Sequence, residues 1–275
     1  MRECAFGIPS ARPETVEGPH LFMLKYRTLR HRSVQAWTSS ARTVLGLTAA
    51  TLTLLTPAAL HAQVQGCTIP DTLPTPHKEG PTEKEPKRIM PISGYTLAIS
   101  WSPAFCTGAG NFGGDFQCDS RNGNFGFTLH GLWPDGAGKS WPQYCRPASV
   151  LPKKILRQNI CVTPSAQLLQ HEWAKHGTCM TRRPEDYFNR SRAMYLKLGF
   201  PDMRALTKDG PVSVGELSSA FAAATPGLRS SMLRVTGHAG YLSEVWICLD
   251  RQYRYTSCPM GSGGLPSHAK LRVRF

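Results

Sequence analysis

His171-Glu172-Trp173-Ala174-Lys175-His176-Gly177-Thr178-Cys179 gathers two imidazoles, a carboxylate and an ammonium in one short stretch. Read as a helix, it sets His171 four residues from Lys175, and Glu172 four from His176 and three from Lys175. Those spacings put all four side chains on one face. Leu169 and Trp173, also four apart, lie on the neighbouring side and anchor the helix in a core. A single His or a lone Glu–Lys pair would read as a solvated surface face. Four such groups beside a large apolar ring point to a functional site. A zinc protease needs His-Glu-x-x-His, with its imidazoles four residues apart. Here they are five apart and Lys175 would repel a cation, so no metal site is expected.

A second segment, Phe127-Thr128-Leu129-His130-Gly131-Leu132-Trp133-Pro134-Asp135, lies about forty residues upstream. Phe125, Phe127 and Leu129 alternate with polar or small residues, which predicts a strand ending at His130, with Gly131 to Tyr144 as loop. Tyr95, Leu97, Ile99 and Trp101 alternate in the same way. Val245, Ile247 and Leu249 alternate with Glu244, Trp246 and Cys248 in a late strand, which Arg251-Gln252 turns into Tyr253 to Ser257. Thr163 as cap and Pro164 in the first turn open a helix that runs to about His176 and stops at Gly177. Pro184 starts another, through about Leu198. Ser213 and Glu216 form a capping box for a third, with Leu217 and Phe221 on its inner face. Strands flanking a helical middle predict a single α+β domain.

The chain has 275 residues, 41% hydrophobic and 18% charged, which excludes disordered and coiled-coil compositions. Its formal charge of +14 suits a polyanionic partner, and on composition alone equally suits simple solubility. No apolar run reaches the ~20 residues of a spanning helix, which excludes a polytopic membrane protein. Val44 to Leu60 is uncharged, follows Lys25, Arg27, Arg30, Arg32 and Arg42, and runs into Leu60-His61-Ala62. That order makes a secretory signal, so residues 1–62 read as an upstream extension and leader, with Met23 as an alternative start. Seven of the 32 Lys and Arg and three of the 18 Asp and Glu precede residue 63, so most of the basic excess belongs to residues 63–275. Residues 63–93 hold six prolines among Lys and Glu and read as an extended tether. Order begins near Tyr95, giving a folded domain over 94–275. Eight cysteines lie beyond the leader, without a C-x-x-C pair, so four disulfides are expected in a secreted or periplasmic protein. Counting alone leaves 105 pairings open.

The two segments resemble the paired active-site motifs of the ribonuclease T2 family. The likeness spans roughly Tyr95 to Cys258, with the motifs in the family's order. It implies an endoribonuclease that cleaves single-stranded RNA without metal or cofactor, through a 2′,3′-cyclic phosphate hydrolysed to a 3′-phosphate. His176 is then the base and His130 the acid, Lys175 and Glu172 stabilise phosphoryl charge, and His171 binds phosphate. Cationic His171 and His130 imply an acidic optimum. Trp133 and Asp135 match the family's base-recognition pair, with Trp141 as a further wall. The alternative for that pair is a core aromatic and a turn residue before Gly136. The resemblance implies disulfides Cys145–Cys179, Cys248–Cys258 and Cys106–Cys118, and Cys67 with Cys161 completes the set. The resemblance also implies the fold's details, a disulfide-bonded domain with a central, mainly antiparallel sheet packed against helices. Separately, a monomer with no membrane contact is expected once the leader is removed. The sequon Asn189-Arg190-Ser191 falls in an expected helix and is not expected to carry a glycan.

Overall fold

The computed structural model describes residues 66–108 and 116–275. The expected leader, Ala62 and Met23 lie outside the described residues, as do residues 109–115 between Cys106 and Cys118. In chain order the elements are β1 (Gly94–Trp101), α1 (Ser102–Gly108), β2 (Phe127–Asp135), α2 (Lys153–Asn159), α3 (Ala166–Glu172), a π turn (Trp173–Gly177) and α4 (Thr178–Met180). Then come α5 (Pro184–Tyr195), α6 (Met203–Leu206), β3 (Val212–Ser213), α7 (Val214–Ala224), β4 (Leu233–His238), β5 (Tyr241–Leu249) and β6 (Lys270–Leu271).

Four strands form an antiparallel sheet in the order β2-β1-β5-β4, and β3 pairs with β6 in a small second sheet. Strand alternation gives the main sheet two faces. Tyr95, Leu97, Ile99 and Trp101 of β1 are buried, as are Val245, Ile247 and Leu249 of β5. Against this apolar face pack α5 and α7. Phe127 stacks on Phe200 at 5.6 Å and meets Phe221 edge-on at 5.0 Å, and the Tyr195 hydroxyl donates to the Phe127 carbonyl at 2.7 Å. The opposite face carries Thr96, Ser100, Glu244 and Trp246, and it becomes the floor of the site.

The α+β architecture and the strand cores match the sequence reading, as does the Ser213–Glu216 capping box with Leu217 and Phe221 buried. Local boundaries differ. Ser165, whose side chain accepts from the Leu168 N–H, caps α3, while the Thr163 hydroxyl is drawn off to the Leu129 carbonyl. Gly177 does not end the helical path, which continues through Met180. The glycine instead makes room: a Cβ there would lie 2.4 Å from the Trp173 ring and 3.0 Å from Tyr187. Strand β2 runs past His130 to Asp135, because Gly131 to Asp135 find partners on β1. Helix α5 ends at Tyr195 rather than near Leu198. Residues Tyr253 to Ser257 form no strand and contribute a single bridge, Leu249 to Tyr255.

Among its described residues, the Pro-rich stretch before β1 carries none of the helices or strands above, but it is not a free tether. Cys67 is bonded to Cys161, the His77 N–H donates to Gln167 at 2.7 Å, and Arg88 and Gln143 exchange backbone bonds of 2.9 Å. Prolines leave few N–H groups for internal pairing, so the segment satisfies its backbone against the domain. The remaining disulfides are Cys106–Cys118, Cys145–Cys179 and Cys248–Cys258, the pairing the resemblance implies.

Leu97 sits fully buried in the second strand of the sheet. Leu97→Ala is expected to lower unfolding free energy by about 2–5 kcal/mol. Met260→Ala, at a fully exposed side chain, should stay within about 0.5 kcal/mol of wild type. Chemical denaturation of both variants checks the contrast.

Candidate active site

Strand β2 and the α3–π-turn helix bring the two sequence segments together. Leu129 pairs with Ile99 and Gly131 with Ala98, so His130 is the extra residue of a β-bulge. A bulge breaks the alternation and re-aims its side chain. Here it turns the His130 imidazole onto the polar face of the sheet, between Glu244 and Glu172.

Glu172 lies at the centre and is almost fully buried. Its Oε2 accepts from Trp133 Nε1 at 2.9 Å and from the Tyr187 hydroxyl at 3.3 Å. Its Oε1 has no hydrogen-bond partner and stands 3.5 Å from His130 Nε2. Burial pushes this carboxyl above its ordinary range, with His130 and His171 pulling the other way. Gly131 permits the arrangement, because a Cβ at that position would fall 1.7 Å from Glu172 Oε2.

The two histidines are displaced in opposite directions. His176 is buried, and its Nδ1 lacks a partner. Burial, then the charges of Lys175, His171 and His130, push it well below the usual imidazole value, so its ring is neutral. Burial also depresses His130, but the carboxylates of Glu244 and Glu172 outweigh it and the net displacement is upward. Trp133 separates the two rings, edge-on to His130 at 5.1 Å and stacked near His176 at 5.6 Å.

An open cleft of about 820 Å³ exposes these groups. His130, Trp133, Asp135, His171, Glu172, Lys175 and His176 all line it, so every site residue expected from the sequence reaches one cavity. The four helix residues do so across a π turn rather than a regular α-helix. Asp135 accepts from Thr96 Oγ1 at 2.9 Å, and burial pushes its carboxyl up. Trp141 lines the same cleft. Among the described residues no group of three or more His, Cys, Asp or Glu could hold a metal ion.

Sequence reading missed three contributors. Glu244 binds His130 from β5, 114 residues away. The alternation that set Glu244 and Trp246 opposite the apolar residues of β5 was the one available signal. Glu79 and Glu85 arrive from the Pro-rich segment, pairing with His171 Nδ1 at 2.7 Å and with Lys175 Nζ at 2.5 Å. Lys175 holds the Glu85 carboxyl below its usual range despite an opposing push from burial.

The model of the Ribonuclease T2 family matches residues 93–258. A probable ribonuclease from Haemophilus influenzae is 32% identical over 180 residues, covering 61% of this chain and 61% of that relative's length. A ribonuclease from Aeromonas hydrophila is 30% identical over 164 residues, covering 58% of this chain and 72% of the relative. Among solved structures, an RNase-related protein from Calystegia sepium superposes with a TM-score of 0.52 at 24% identity, over 67% of this chain and 98% of that one.

In an imidazole ¹⁵N NMR titration, His176 should remain neutral well below the ordinary value of about 6.5, and His130 should remain protonated above it. Neutral when folded, His176 takes up a proton more readily when unfolded. Its contribution to stability is therefore full above the ordinary imidazole value and lost as pH falls from there toward the native value.

Proposed function

The chain belongs to the ribonuclease T2 family, and on that premise we propose that it is a metal-independent endoribonuclease of single-stranded RNA. The ribose 2′-OH attacks phosphorus to give a 2′,3′-cyclic phosphate, which water opens to a 3′-phosphate. The observation that carries this reading is one cleft lined by two imidazoles, an ammonium and a buried carboxyl whose Oε1 stands 3.5 Å from His130 Nε2, the imidazoles being displaced in opposite directions. Titratable groups whose surroundings push them apart divide acid and base roles between them.

His176, neutral, takes the 2′-OH proton as the P–O2′ bond forms. His130, protonated, gives its proton to the 5′-oxygen as the P–O5′ bond breaks. The roles exchange when water attacks the cyclic ester. Negative charge growing on the phosphoryl oxygens is met by Lys175, and Glu172 assists through its Oε1, which faces the protonated His130. His171 binds phosphate. Trp133 and Asp135 receive the base, the indole by its ring and the carboxyl by accepting from exocyclic amines.

Residues 94–275 form the catalytic domain in this reading. The excess of basic residues suits a polyanion. Four disulfides suit an oxidising compartment, reached through a leader within residues 1–62 and occupied as a secreted or periplasmic monomer.

His176→Ala and His130→Ala are each expected to lower kcat on a defined single-stranded RNA by about 10²–10⁴-fold, with the circular dichroism spectrum unchanged. Full residual cleavage by either variant contradicts the assignment of that histidine.

A further inference from the structure

We propose that Glu244 is the positioning residue of the general acid, holding His130 by Nδ1 so that Nε2 carries its proton toward the cleft. This rests on the ribonuclease reading above. The His130 Nδ1–H donates to Glu244 Oε1 over 2.5 Å, while Nε2 faces Glu172 at 3.5 Å. A carboxylate can only accept, so the contact decides which ring nitrogen is turned inward.

Glu244 is itself fixed. Ser100 Oγ, from the cross-strand partner on β1, donates to its Oε1 at 2.8 Å, and Trp246 Nε1 donates to its Oε2 at 2.9 Å. Trp246 in turn packs edge-on against Trp133 at 5.6 Å. Both oxygens are engaged and the carboxylate cannot swing away from the imidazole. The charges facing His130 are Glu244 from β5, and Glu172, Lys175 and His176 from the helix. The Glu244 carboxylate keeps the ring protonated until the leaving oxygen takes the proton.

Glu244→Gln preserves shape and acceptor but removes the charge. The His130 imidazole should then titrate about one pH unit lower or more. The basic limb of the kcat profile should move down by the same interval, KM should change little, and activity should approach wild type on the acid side. Glu244→Ala should lose kcat across the whole range, and Glu244→Asp should recover part of it. An unchanged His130 titration in Glu244→Gln, or an equal loss of rate at every pH, overturns the proposal. Absence of cleavage by the wild-type chain would instead refute the ribonuclease reading, with the NMR titration still deciding whether Glu244 governs His130.

The Pro-rich segment bears on the site independently. We infer that residues 66–93 restrain the site, with Glu79 and Glu85 standing where phosphodiester oxygens bind. Their carboxylates pair with His171 and Lys175, the two side chains assigned to phosphate charge. Gln167 donates to Glu79, the Tyr144 hydroxyl donates to Glu85 at 3.2 Å, and Cys67–Cys161 and the Arg88–Gln143 pairing pin the segment at both ends. RNA must displace both carboxylates. In the full chain, Glu79→Gln combined with Glu85→Gln should lower KM for RNA several-fold with kcat little changed. Glu83→Gln, exposed on the same segment, should leave KM near wild type. An unchanged or raised KM in the double variant, or an equal fall in Glu83→Gln, overturns the inference.

Discussion

Glu172 is pressed against a glycine of β2, and the chemistry of the site depends on that contact. A carboxyl taken out of water costs several kcal/mol unless its oxygens are bonded. Trp133 and Tyr187 satisfy one oxygen, and the other is left beside His130. The helix can come this close only because residue 131 carries no side chain. The same contact places a negative group beside His130 and helps raise it, while His176 is lowered by its own burial and by the cations around it.

The sheet supports this arrangement by keeping its faces distinct. Its apolar face is tied to α5 and α7 through Phe127, Phe200 and Phe221. Its polar face offers Ser100, Glu244 and Trp246 to the bulged His130. Two indoles play matching parts, Trp133 holding Glu172 and Trp246 holding Glu244, and they touch each other. At the far end of the helix, Cys145–Cys179 and the Tyr144 N–H to Lys175 carbonyl bond of 2.8 Å brace the turn that carries Lys175 and His176.

What was legible in the sequence was local. Alternation exposed the buried faces of β1 and β5, the Ser213–Glu216 box fixed the start of α7, and helical spacing gathered His171, Glu172, Lys175 and His176. The less legible features depend on distant partners. The continuation of β2 through Trp133 and Asp135 is stabilised by β1, which no loop-like run of Gly and Pro discloses. The π turn and the passage beyond Gly177 reflect Trp173 and Tyr187 crowding a position without a Cβ. Glu244 lies in the alternating pattern, but its pairing with His130 depends on strand order and a bulge. The acidic residues of the Pro-rich segment look solvated in sequence, because nothing local marks the cations they meet.

The central claim is that paired imidazoles drive attack by a neighbouring ribose hydroxyl. It is tested most directly with a DNA oligonucleotide carrying one ribonucleotide, incubated with the protein in excess EDTA, its product ends read by mass spectrometry. The account predicts a single cut on the 3′ side of that ribonucleotide, leaving a 2′,3′-cyclic phosphate that opens to a 3′-phosphate. Cuts at deoxynucleotides, or products bearing a 5′-phosphate, would contradict it.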